Sequence, residues 1–212
     1  MRVPNDWKRA RFTLVVTLIT AASWLAVWAL SAENWAAVWG GFIPARWALG
    51  GDEGLAPFWL TPLTATLVHA NFLHLALNLL ILIFCGRPTE AVLGPIAVVL
   101  LYLLGAYAAA AAQFVLEPGQ MIPMVGASGA ISALIGAYSI LFGRNKVKVA
   151  NPRLALWLNA LWLMAAWVAL QIVVGLTFAS GGIQVAVAAH IGGFAVGVAL
   201  ANPLLLLRYR GA

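Results

Sequence analysis

The chain has 212 residues, of which 64% are hydrophobic and 8% charged, against about 45–50% and about 25% in soluble domains. That excludes a soluble globular enzyme and places nearly all of the chain in a bilayer, so the formal charge of +6 speaks first to topology and not to nucleic acid. A single cysteine, Cys85, excludes an intramolecular disulfide and a cysteine-cluster metal site.

Residues 1–11 carry Arg2, Lys8, Arg9 and Arg11, whereas residues 12–32 carry no charge. The uncharged run is long enough to span and longer than the about 7–15-residue apolar core of a signal peptide, so it is read as an uncleaved first helix, 12–32. Residues 33–61 hold Glu33, Arg46, Asp52 and Glu53, the glycines Gly40, Gly41, Gly50, Gly51 and Gly54, and Trp35, Trp39, Trp47 and Trp59. Tryptophan favours the membrane–water boundary, and loops beyond about 12–15 residues usually have a function or are disordered. So many rings argue for a long, partly membrane-embedded first loop with short helices in the interface.

A second helix over 63–84 contains His69, His74 and Asn78, and residues 86–94, with Arg87, Pro88 and Glu90, read as a turn. A third helix over 95–115 offers Gly105 and the alanines at 108–112 for close packing; a loop over 117–123 leads to a fourth helix, 126–142. A basic turn over 144–153 carries Arg144, Lys146, Lys148 and Arg153, and residues 154–207 contain no Lys, Arg, Asp or Glu. That last run accommodates two spans, a fifth helix over 154–178 and a sixth over 183–206, broken at 179–184. The expected fold is thus all-α and integral to the membrane, a six-transmembrane-helix bundle in one domain, 1–212. With six spans, eleven of the twelve Lys and Arg residues fall on one side and Arg46 alone on the other. Positive-inside then puts both termini in the cytoplasm, and the charge with the short tails suggests a prokaryotic inner membrane.

A polar residue inside a span is by default a site hypothesis. His74, Asn78, Ser128 and His190 all lie near the outer ends of helices that enter from the same side, within roughly one or two turns of a common depth at about 1.5 Å rise per residue. His74 and Asn78 are four apart and share a helix face. Gly193, Gly197 and Ala201 follow His190 as a small-residue stripe, with Gly129, Ala133 and Gly136 as counterparts on the fourth helix. Close approach of these stripes would bring Ser128 and His190 together. His69 falls about 140° around an ideal helix from His74, so it is read as structural, tying the loop to the second helix. Ser132 and Ser139 read as bonding back to their own helix.

Ser128 sits in Gly126-Ala-Ser-Gly129 at the mouth of the fourth helix, where glycine permits tight turning and unpaired N–H groups can stabilise an anion. A serine nucleophile needs a base, histidine is the usual one, and acyl transfer needs donors for the oxyanion. His74, Asn78 and the Ser128 backbone N–H could supply these. No acidic residue follows Glu117 or falls within a span, so the expectation is a Ser128–His190 dyad and not a triad. Three histidines without a carboxylate make a poor zinc set; no metal or cofactor is expected, a histidine-only site being the remaining option.

Together, His74-Leu-Ala-Leu-Asn78, Gly126-Ala-Ser-Gly129 and Ala189-His-Ile-Gly-Gly-Phe-Ala-Val-Gly197 resemble the rhomboid intramembrane serine proteases, of the bacterial six-helix type. Glu90-Ala-Val-Leu-Gly94 is similar to that family's turn after the second helix, and Gly41-Phe-Ile-Pro-Ala-Arg46 to its first loop. The resemblance implies Ser128 as nucleophile, His190 as general base and acid, and His74 and Asn78 at the oxyanion hole, with Gly126, Gly129, Gly193 and Gly197 in support. It implies membrane-anchored protein substrates cut in or near their transmembrane segment on the outer side. It also implies a cavity open to water on that side and the fifth helix as a lateral gate. Two departures stand out: Trp59 is followed by Leu60 where Trp-Arg is frequent, and Ser132 replaces a frequent aromatic residue that packs on the catalytic histidine, leaving space beside His190. The expected partners are transmembrane substrates and the lipid bilayer, with no nucleic acid; the oligomeric state is left open. The competing readings are an inactive rhomboid-like protein that binds membrane clients and a transporter, the latter predicting an acidic residue or broken helix at mid-membrane.

Overall fold

Small and apolar residues, alternating along the chain with short polar connections, fold into helices of unequal length. The structure, a computed structural model, describes residues 10–50, 54–143, 149, 151–177 and 186–210. In order these form α1 (Arg11–Ala29), α2 (Glu33–Gly40), α3 (Arg46–Leu49), α4 (Thr61–Thr64), α5 (Phe72–Ile81), α6 (Arg87–Leu93), α7 (Pro95–Leu116), α8 (Ser128–Phe142), α9 (Pro152–Thr177) and α10 (Val187–Arg208). Among the described residues there is no strand, only an isolated bridge between Phe42 and Met124. The cations Arg2, Lys8, Arg9, Arg144, Lys146 and Lys148, the acidic pair Asp52 and Glu53, and the break at 179–184 lie outside the described residues.

Among the described residues four helices are long and apolar enough to cross a membrane: Arg11–Ala29, Phe72–Leu93, Pro95–Leu116 and Val187–Arg208. Ser128–Phe142 and Trp157–Leu170 are shorter apolar helices. Leu14, Leu18, Leu25, Ile96, Leu100, Leu161 and Leu206 are large, apolar and exposed. Water penalises such a surface and hydrocarbon does not, so the protein is an integral membrane protein.

The innermost element is α8, in which every residue from Ser128 to Ala137 is buried. It lies against α7 and α10, and small residues set how closely. A Cβ at Gly193 would strike the Gly129 carbonyl, one at Gly197 the Ala133 carbonyl, and one at Gly136 the Phe194 carbonyl. Lipid supplies little hydrophobic drive between helices, so such backbone-to-backbone packing is what holds them. Val98, Leu101, Ile131 and Leu134 are completely buried in the core around α8.

The second helix differs from the sequence expectation at both ends. Residues 61–67 form only α4 and a 3-10 turn (Ala65–Leu67); Val68 is then extended, and α5 starts at Phe72. Asn71 is the cause: it is extended, and its side chain accepts the His74 N–H at 2.8 Å, as a cap for a new helix. At the other end the helix does not stop at Phe84. A π-helical turn, Leu82–Gly86, leads into α6, so the stretch read as a turn is helical. Pro88 sits in the first turn of α6, where its missing N–H costs nothing. Thr89 Oγ1 donates to the Cys85 carbonyl at 2.7 Å. Glu90 is buried and accepts the Phe12 N–H and the Thr13 N–H, each at 2.8 Å, and the Thr13 hydroxyl at 2.6 Å. Its charge is spent on the unpaired donors at the start of α1, not on solvent.

Candidate active site

The loop that delivers Ser128 is held from two sides. Phe42 N–H donates to the Met124 carbonyl at 2.9 Å and Met124 N–H returns the bond at 2.8 Å. Ala45 N–H donates to the Gln120 carbonyl at 3.1 Å, and Gly126 N–H to the Ala65 carbonyl at 2.9 Å. The first loop and the segment before α5 therefore fix where α8 begins. Gly126 has φ +110°, and a Cβ there would lie 2.6 Å from His74 Cε1 and Nε2. Glycine is required twice over, by backbone conformation and by the imidazole against it.

Ser128 is the first residue of α8, after the N-cap Ala127, so its N–H has no partner within the helix. The N–H groups just before it are taken: Gly126 by Ala65, and Ala127 by His69 Nε2 at 3.4 Å. The Ser128 hydroxyl meets His190 Nε2 at 2.8 Å. Ser128 is 8% exposed and His190 3%, so the hydrogen bond lies in a site largely closed off by protein. When Nε2 accepts the Ser128 proton, the imidazole proton is on Nδ1, and Nδ1 has no protein partner among the described residues. Among the described residues no carboxylate stands behind the pair.

His74 and Asn78 stand one turn apart on α5, with the His74 ring over Gly126. Asn78 is fully buried; its Nδ2 donates to the His74 carbonyl at 2.8 Å, and its Oδ1 has no protein partner among the described residues. One amide hydrogen therefore remains uncommitted. Gly129, Gly193 and Gly197 lie in the α8–α10 seam that brings Ser128 and His190 together.

Two side chains at the site escape the sequence reading. His69 does not point away from His74: the rings are 5.0 Å apart between centroids. The helical angle fails because Val68–Asn71 is not helix, and Asn71, three residues before His74, is the signal for that break. Trp167 on α9 lies 6.0 Å from His190 between ring centroids, and its Nε1–H donates to Ser132 Oγ at 3.0 Å. Ser132 does bond back to its own helix, donating to the Ser128 carbonyl at 2.7 Å, as Ser139 does to Gly136 at 2.7 Å.

Chemically, a hydroxyl on an imidazole nitrogen beside a helix N-terminus can attack a carbonyl and stabilise the resulting oxyanion. The family model described as Rhomboid domain matches residues 57–207. Over 72 residues the chain is 42% identical to the Mus musculus protein named Rhomboid-related protein 2, a stretch that is 34% of this chain and 23% of that protein. The match thus spans about a quarter of the relative's length.

Proposed function

Because the chain belongs to the rhomboid family, we propose that it is an intramembrane serine endopeptidase that cleaves membrane-anchored proteins in or near their transmembrane segment. The 2.8 Å approach of His190 Nε2 to Ser128 Oγ supports this reading most strongly. His190 takes the proton of Ser128 as its oxygen attacks the scissile carbonyl. The Ser128 N–H, with donors from His74 and Asn78, stabilises the oxyanion. His190 then gives the proton to the leaving amine, which departs and leaves an acyl-serine. A water activated by the same imidazole hydrolyses the ester and restores both groups.

The bundle has six spans in this reading, the four long helices joined by α8 and α9. Fifteen residues make α8 about 22 Å long, short of a hydrocarbon core about 30 Å thick. Ser128 therefore starts below the surface, and the non-helical segment before it descends into the protein. Such backbone is tolerated at depth where protein buries it or water reaches it, and a serine hydrolase needs that water. Both termini are cytoplasmic, in a prokaryotic inner membrane, and the site opens to the other side.

Labelling by a fluorophosphonate tests the proposal. Wild-type protein in lipid acquires the adduct on Ser128, and His190→Ala, folded, acquires it far more slowly. A folded wild type that stays unlabelled, or a His190→Ala variant labelled at the wild-type rate, contradicts it and leaves a client-binding relative as the reading.

A further inference from the structure

His190 lacks support from its own neighbourhood on two counts. Its Nδ1 has no protein partner among the described residues, and the α8 residue that faces α10 one turn along is only a serine. Ser132 is completely buried, and a Cβ added at Gly193 would lie 3.3 Å from Ser132 Cβ. A hydroxymethyl group is too small to cover an imidazole. Trp167, from α9, fills the space. Its ring lies 6.0 Å from the imidazole at an interplanar angle of 60°, within the range of favourable tilted contacts.

The indole is itself oriented. Trp167 is 5% exposed, and a buried indole N–H requires an acceptor. Ser132 Oγ provides it at 3.0 Å and passes its own proton to the Ser128 carbonyl at 2.7 Å. Ser132 thus has two tasks: it is small enough to admit a tryptophan from a third helix, and polar enough to fix that ring. One hydrogen-bonded line runs from α9 to the backbone of Ser128, while the ring it orients lies against His190.

We infer that Trp167 is a positioning residue for His190. Held by Ser132, the indole keeps the imidazole in the rotamer that directs Nε2 at Ser128. The inference rests on the hydrolase reading above. The base is then set by α9, which carries neither member of the dyad, and any displacement of α9 that withdraws the indole uncovers His190. The seat of α9 and the readiness of the dyad become one variable.

The test uses full-length protein in lipid vesicles, a fluorophosphonate probe, and two readouts, the rate of adduct formation on Ser128 and the unfolding temperature. Trp167→Phe keeps a ring without the N–H and labels within about threefold of wild type, whereas Trp167→Ala and Trp167→Leu label about tenfold or more slowly, the order of loss that misplacement of a reacting group produces. Adding Ser132→Phe to Trp167→Ala restores labelling, because a ring on α8 reaches the vacated space. Recovery through a different helix cannot come from reseating α9. Labelling of Trp167→Ala at the wild-type rate overturns the inference, as does a double variant that regains unfolding temperature without regaining labelling. If Trp167→Ala does not fold, equal rates for Trp167→Phe and Trp167→Leu overturn it. A labelled wild type with indifferent Trp167 variants defeats this inference alone; an unlabelled wild type defeats the hydrolase reading and this inference with it.

Discussion

Ser128 and His190 form a hydrogen-bonded pair with no acidic group behind the imidazole among the described residues, so what surrounds them has to supply orientation. Gly126 does so from the backbone side, with its positive φ and the His74 ring against it. Gly126→Ala introduces a disfavoured conformation costing about 1–3 kcal/mol and pushes the His74 ring aside. The expected result is a loss of labelling at Ser128 larger than the drop in unfolding temperature accounts for. Asn78 makes a different prediction. Its Nδ2 donates one hydrogen to the His74 carbonyl, and in the proposed mechanism the other serves the oxyanion. Asn78→Ala is expected to lower turnover about a hundredfold, the scale of one lost oxyanion donor, with KM nearly unchanged. A loss of twofold or less in a cleavage assay contradicts its place at the oxyanion.

Among the elements, the join between α1 and α6 depends on one carboxylate. Glu90 accepts three hydrogen bonds from Phe12 and Thr13, and hydrogen bonds to a charged group contribute about 1.5–3 kcal/mol each. Because the three bonds share one carboxylate and do not simply add, Glu90→Ala is expected to destabilise the protein by at least about 3 kcal/mol and Glu90→Gln by less, read from reversible unfolding in detergent or lipid. The long apolar runs, the small-residue stripes and the Gly126-Ala-Ser-Gly129 motif are legible in the sequence because each is a local pattern. Glu90 is not, since its partners are 77 and 78 residues away and a charged residue beside Pro88 reads as a turn. His69 departs from the angle of an ideal helix because the extended Asn71 breaks the helix between it and His74. Trp167 is one of ten tryptophans and has no local mark; only the serine at position 132, too small to cover the histidine, hinted that a ring must come from elsewhere.

For the whole molecule, a bilayer explains what water would forbid: exposed leucines outside and buried polar groups inside. In the proposed topology the excess of Lys and Arg on one side places both termini in the cytoplasm. A fluorescent protein fused to the C-terminus is expected to be bright and a periplasmic phosphatase fused there inactive, the pattern of a cytoplasmic end; the reverse contradicts the proposed topology. Purified protein in lipid, incubated with a panel of single-span membrane proteins, tests the central claim most directly. Wild type is predicted to release fragments whose new ends map in or near the transmembrane segment, while Ser128→Ala and His190→Ala, folded to the same unfolding temperature, release none. Cleavage that persists in Ser128→Ala, or its absence from a folded wild type across the whole panel, would contradict the account.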